Sequence, residues 1–126
     1  MNLNQITIPV LNVEKSIKFY KTLGLRLIVN STDRYARFEC KEGDSTFSLH
    51  KVDDLPIGTG IFVYFEVNDL DFTYLELVKK GIQFLSEPKN QSWLWKEARL
   101  KDPDGNTIII YNAGNNRKNP PWRIES

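Results

Sequence analysis

Hydrophobic and polar positions follow two periods along this chain, and the two periods succeed each other twice. In "QITIPV" (5–10), Ile6, Ile8 and Val10 fall on one side of an extended strand, and Gln5, Thr7 and Pro9 on the other. The period then lengthens. Ile17, Tyr20 and Leu23 recur at helical spacing. Asn12 precedes them as a residue that caps a first helical turn, and Gly24 follows as one that accepts the left-handed end. Strand-like stretches come next, at roughly 25–30, 34–41 and 45–52. A shift of 57 positions then brings the pattern back, with Val63 on Ile6, Phe65 on Ile8, Val67 on Val10, Asp69 on Asn12 and Gly81 on Gly24. Leu70, Tyr74, Leu77 and Val78 mark the second helix, and roughly 82–86, 96–101 and 106–111 the later strands. The predicted unit is β-α-β-β-β, used twice, with "DDLPIGTG" (53–60) as the joint.

Strand parity gives each predicted sheet two unlike faces. Phe47 and Leu49, then Ile61, Val63, Phe65 and Val67, then Ile108 and Ile110, continue the apolar face begun at Ile6. That face suits burial under an amphipathic helix. The other face carries Gln5, Thr7, Thr46, Ser48, His50, Phe62, Tyr64, Glu66, Thr107, Ile109 and Tyr111. Rings with a few polar groups are what a small-molecule cavity presents. "DPDGN" (102–106) is a tight-turn signal, because Gly105 accepts the positive φ such turns need. The strand after it is expected to bury Ile108 and Ile110 under a helix and to turn Ile109 and Tyr111 toward a cavity.

Composition narrows the function. The 126 residues are 40% hydrophobic and 26% charged, with 17 basic and 16 acidic side chains and a net charge of +1. That balance gives no reason to expect nucleic acid or an anionic membrane as partner. One cysteine, Cys40, precludes an intrachain disulfide and is compatible with a cytoplasmic location. The N-terminus has no basic region followed by an apolar run, and no stretch of about 20 apolar residues is present to cross a bilayer. Phosphate loops, dinucleotide fingerprints and Ser-His-Asp motifs are missing, and no activating partner for Cys40 is visible.

The doubled unit, with "ITIPVLNVEKSIKFYKTLGL" at the front and "RLKDPDGNTIIIY" behind, resembles the vicinal oxygen chelate superfamily: the glyoxalase, bleomycin-resistance and extradiol-dioxygenase group. The resemblance covers about residues 3–113. It implies an α+β fold, two βαβββ modules forming a cup-shaped mixed sheet with the helices on its outer face. It implies one domain over 1–126: module one at about 1–55, module two at about 58–113, and an extended C-terminal tail at 114–126. Enzymes of the group hold a divalent metal with His, Gln or Glu on the first and last strand of each module. The corresponding positions here are Gln5, His50, Phe62 and Ile109. Phe62 and Ile109 offer no donor, so neither a metal nor another cofactor is expected.

The candidate ligand-binding residues are therefore Gln5, Thr7, Ser48, His50, Phe62, Tyr64, Glu66, Trp93, Trp95, Arg99, Ile109 and Tyr111. His50, the lone histidine, is either a cavity donor or a strand residue bonded to a neighbour. Glu66 either pairs with Arg37 or Arg99, or meets solvent or a cationic ligand group. The favoured function is metal-free binding of a small, partly aromatic molecule by a homodimer. The alternative is a glyoxalase-type lyase or isomerase, or another enzyme of the group, using His50 and Glu66 for proton transfer. A purely structural partner protein is a third class. Pro120-Pro121 carries the tail away in extended form, and Trp122 is expected to bury itself against a second chain.

Overall fold

Two side-chain caps begin the helices. In the computed structural model, which describes residues 1–125, Asn12 accepts the Lys15 amide at 2.9 Å and starts α1 (Val13–Leu23). Asp69 accepts the Phe72 amide at 3.0 Å and starts α2 (Leu70–Lys79). Gly24 ends α1 at φ 109°, a conformation costly for any residue with a Cβ.

The chain divides into two compact units, one of Met1–Gly60 with Asp102–Gly105, the other of Ile61–Lys101 with the chain from Asn106 onward. The first holds β1 (Gln5–Val10), α1, β2 (Arg26–Ser31), β3 (Tyr35–Glu39) and β4 (Thr46–Lys51), with the sheet ordered β1-β4-β3-β2. The second holds β5 (Phe62–Glu66), α2, β6 (Lys89–Asn90), β7 (Lys96–Lys101) and β8 (Thr107–Asn112), ordered β5-β8-β7-β6. In each, the first strand pairs parallel with the last and the remaining pairs are antiparallel. Both sheets are thus mixed, each carries one helix, and the class is α+β.

Parity decides the core of each unit. In the first, Ile8, Val10, Ala36, Phe38, Phe47 and Leu49 are buried together with Val13 and Tyr20 of α1. In the second, Val63, Ala98, Leu100, Ile108 and Ile110 are buried with Leu70 and Leu77 of α2. Val78, expected on the buried stripe, lies exposed one position past Leu77.

The strand expected at 82–86 does not form. Phe84 makes one bridge to Leu100, and pairing resumes only at β6. Ser86 Oγ accepts the Arg99 amide at 3.3 Å, taking a donor that a ladder carbonyl would otherwise use, and Pro88 has no N–H to give. The tail also departs from expectation. It opens in a 3-10 turn at Gly114–Asn116, not an extended run. Trp122 is 56% exposed on its own chain, and Ser126 lies outside the described residues.

The "DPDG" segment belongs structurally to the first unit. Gly105 closes the turn at φ 86°, its amide donating to the Asp102 carbonyl at 3.0 Å. Asp104 accepts the Leu11 amide at 3.3 Å and the Ser16 hydroxyl at 3.5 Å. The Tyr20 hydroxyl, fully buried, donates to Asp102 Oδ2 at 2.6 Å. Burial pushes the Tyr20 phenol up, and the charge on Asp102 adds to the rise, so the phenol stays protonated as the donor.

Tyr20→Phe keeps the ring packing and deletes this one donor. Asp102 then keeps the Asp104 amide, bonded at 2.9 Å, but loses the phenol. Urea denaturation should show a loss of about 1.5–3 kcal/mol, the range for hydrogen bonds to charged groups. A loss below about 0.5 kcal/mol, typical of a surface substitution, would show that the bond carries no stability.

Candidate functional site

On the first unit, the sheet face opposite α1 is polar and internally bonded. Gln5 Nε2 donates to Ser48 Oγ at 2.9 Å and to Thr7 Oγ1 at 3.1 Å, while Gln5 Oε1 accepts from the Thr46 hydroxyl. The Tyr35 hydroxyl donates to Ser48 Oγ at 2.7 Å, and Arg37 Nε donates to the Tyr35 oxygen at 3.0 Å. Burial raises the Tyr35 phenol, but the bonds to Ser48 and Arg37 and the charge of Arg37 outweigh it and hold the phenol below its ordinary value. Gln5, Thr7 and Ser48 are therefore brought together as expected. His50 is exposed at the end of β4, outside this chain of bonds. Tyr35 and Arg37 complete the network and were missed as site residues. Their signal was present: "YARFE" alternates, placing both on the face of Ser48.

On the second unit, the face opposite α2 is aromatic. Trp95 stacks on Tyr111 with centroids 4.9 Å apart, and Tyr64 meets both rings edge-on, at 5.7 and 5.4 Å. The Arg99 guanidinium lies over the Phe62 ring, 5.5 Å from its centroid. Phe62, Tyr64 and Trp93 remain about 40% exposed, at 39%, 40% and 39%. Burial, then the charge of Glu97, pushes the Tyr64 phenol up. Leu94, between the two tryptophans, takes φ 66°, and the Leu94 amide closes on the Gln91 carbonyl at 3.0 Å.

Ile109 does not meet a cavity. It is 0% exposed in a cluster with Tyr111 and Ala113, against which Trp95 packs. The rings expected to line a hollow are large enough to fill it. Glu66 likewise corrects the expected pairing with Arg37 or Arg99. Its Oε2 accepts the Ala113 amide at 2.7 Å and the Gly114 amide at 2.9 Å, and its Oε1 lies 4.0 Å from Arg117 Nε. The carboxylate thus holds the 3-10 turn after β8.

Arg99 faces a residue the sequence reading passed over. Glu97 is fully buried on the same face, accepting from Trp93 Nε1 at 2.8 Å and from Arg99 Nη2 at 3.4 Å. The alternation of Glu97, Arg99 and Lys101 in "KEARLK" was the available signal.

Strand register revises the expected metal positions. Thr7 pairs with Ser48 in the first unit and Tyr64 with Ile109 in the second, so Ile109 corresponds to Ser48, and His50 to Tyr111. The donor set does not fit a divalent ion. Phe62 and Ile109 have no donor atom, and the Gln5 amide is engaged at both ends. Among the described residues, no three His, Cys, Asp or Glu side chains gather as a metal would require. No helix among them is long and apolar enough to cross a membrane.

This pairing of two βαβββ units is the architecture of a known superfamily, and residues 2–110 match the family model for the Glyoxalase/Bleomycin resistance protein/Dioxygenase superfamily. The chain belongs to that family. It is 30% identical over 127 residues to the Uncharacterized protein YraH of Bacillus subtilis (strain 168), across 88% of this chain and 98% of that one. Among solved structures it resembles a glyoxalase/bleomycin resistance protein/dioxygenase from Nocardioides, with a TM-score of 0.78 at 21% identity, covering 99% of this chain and 90% of that one. It also resembles a bleomycin-binding protein complexed with bleomycin, with a TM-score of 0.71 at 20% identity, covering 89% and 98%.

Arg99→Ala should leave the Glu97 carboxylate, buried, with Trp93 as its remaining side-chain donor. The expected cost is about 1–3 kcal/mol in denaturant unfolding, at the lower part of that range because Arg99 is partly in water. Adding Glu97→Gln removes the stranded charge and should recover much of the loss. A double variant no more stable than Arg99→Ala alone would assign the cost to lost packing on Phe62 instead.

Proposed function

We propose that this protein binds a small, partly aromatic organic molecule without a catalytic metal, as a cytoplasmic homodimer. The observation that carries the reading is the aromatic shelf of the second unit. Tyr64, Trp95 and Tyr111 brace one another, while Phe62, Tyr64 and Trp93 keep open ring surface. Braced rings lose little conformational freedom when a planar ligand stacks on them. The bleomycin-bound relative is a protein of the same fold whose ligand is an organic molecule, which supports the reading. The remaining candidates, Gln5, Thr7, Ser48 and His50, lie on the first unit's own sheet face.

The alternative is a glyoxalase-type lyase or isomerase, or another enzyme of the family, using His50 and Glu66 for proton transfer. Glu66 Oε2 already accepts two amides, so a proton reaching it would compete with the turn that it holds. That cost favours binding over turnover.

A thermal-shift screen of planar aromatic metabolites and antibiotics tests the shelf, repeated on chelator-treated protein. Hits should survive the chelator. Phe62→Ala and Tyr64→Ala should each weaken them about two- to twelvefold, the equivalent of about 0.5–1.5 kcal/mol per aromatic contact. Hits that vanish with metal removal, or that bind both variants unchanged, would overturn the reading.

The homodimer reading rests on apolar side chains that the described chain leaves open on its tail, Trp122 at 56% and Ile124 at 87% exposure. Truncation after Asn119 removes both and spares the Glu66–Arg117 pair. In sedimentation equilibrium the dimer should weaken by about tenfold or more, as loss of a tryptophan anchor does. An unchanged constant would remove the tail from any interface.

A further inference from the structure

The two sheets place an arginine at the same register position and give it different company. Arg37 pairs across the strands with Ser48, and Arg99 with Ile109, the counterpart of Ser48. Two residues earlier, on the same face, stand Tyr35 in the first unit and Glu97 in the second. Arg99 therefore has a carboxylate at 3.4 Å, whereas Arg37 has a neutral phenol, Tyr35, at 3.0 Å. The nearest acid along β3, Glu39, sits across from Arg26 and lies 4.0 Å from it. Of the arginines on these two faces, Arg37 alone lacks a carboxylate partner among the described residues.

It is also held in place. Arg37 Nε is fixed by Tyr35, Tyr35 by Ser48, and Ser48 by Gln5, and the chain of bonds is rooted in a serine that is 0% exposed. Among the described residues only Nε of the guanidinium is bonded, which leaves the two terminal nitrogens, a donor pair that matches two oxygens of one anion. His50, the cross-strand partner of Tyr35, adds an exposed imidazole to the same face.

We infer that Arg37, with Tyr35 and His50 beside it, is a binding site for a small oxyanion, a carboxylate or a phosphate, on the first unit's sheet face. The site does not depend on ligand binding at the aromatic shelf. Its preorganisation lowers the cost of ordering a long side chain around the anion. The charged and titratable groups beside Tyr35 are Arg34 next to it in the chain, Arg37 two residues on, and His50 across on β4. Its β2 partner, Ser31, is neutral. A bound anion opposes the charge of Arg37 that stabilises the phenolate, so the pKa of Tyr35 should rise on binding.

The test is NMR titration of isotope-labelled protein with sodium phosphate and, separately, sodium acetate, against sodium chloride at matched ionic strength. A saturable shift at Arg37 Nε and at the amides of Tyr35, Ser48 and His50 is expected. A response to phosphate alone marks a tetrahedral anion and a response to acetate a planar carboxylate, and either supports the site. Arg37→Gln should weaken binding at least tenfold and Tyr35→Phe by less. Phe62→Ala should leave it unchanged, so failure of the shelf and failure of this site read separately. Shifts that match chloride, never saturate, or persist in Arg37→Gln would overturn the inference.

Discussion

A carboxylate cannot be withdrawn from water without donors to replace it, and two such groups, with a third at the surface, organise this chain. Asp102 takes the Tyr20 hydroxyl and brings the "DPDG" turn onto α1. Glu97 takes an indole N–H and a guanidinium, and so fixes where Trp93 and Arg99 lie on the second sheet. Glu66 takes two amides past the end of β8 and sets the direction in which the tail departs. Asp102 and Glu66 are held by donors 82 and 47–48 residues away, so their bonds close long loops, whereas Glu97 is held by neighbours two and four residues away.

Much of the fold was legible because it rests on local rules. Asn12 and Asp69 cap, Gly24 turns left-handed, and parity alone divides Ile8 and Leu49 from Thr7 and Ser48. The strand at 82–86 was not legible, since a serine hydroxyl competes for the amide that would have extended the ladder. The site was read as a set of residue types by strand parity, and register puts Thr7 and Ser48 on one face of the first sheet and Tyr64, Ile109 and Tyr111 on one face of the second. What pattern could not supply was occupancy. Parity says that Ile109 and Tyr64 share a face, not that one is sealed in a cluster with Tyr111 and Ala113 while the other stays partly open. Nor could it choose among arginines for Glu66, because Arg117 lies in a segment with no periodicity to place it.

Internal repetition sharpens the comparison, since each unit serves as the other's control. Gln5 and Phe62 head equivalent strands, Ser48 and Ile109 sit at equivalent points of the last strand, and Tyr35 and Glu97 at equivalent points of the neighbour between. Backbone topology is the same in both. At the first two pairs the side chains differ alike, amide and hydroxyl in the first unit, ring and aliphatic carbon in the second; at the third, a phenol stands in the first unit and a carboxylate in the second. That divergence leaves no donor atom at Phe62 and Ile109, putting a partly exposed ring at the first position and a buried aliphatic chain at the second.

The divergence also determines which unit can respond to charge. In the second unit Arg99 is neutralised within the protein by a carboxylate that is itself buried, so the pair presents little net field to solvent. In the first, Arg37 is oriented by a dipole and keeps its full charge. A phenol can orient an arginine, though less firmly than a carboxylate, because orientation needs only an acceptor, whereas neutralisation needs an anion. One substitution in the repeat, tyrosine for glutamate two residues before the arginine, therefore separates a structural cation from an available one.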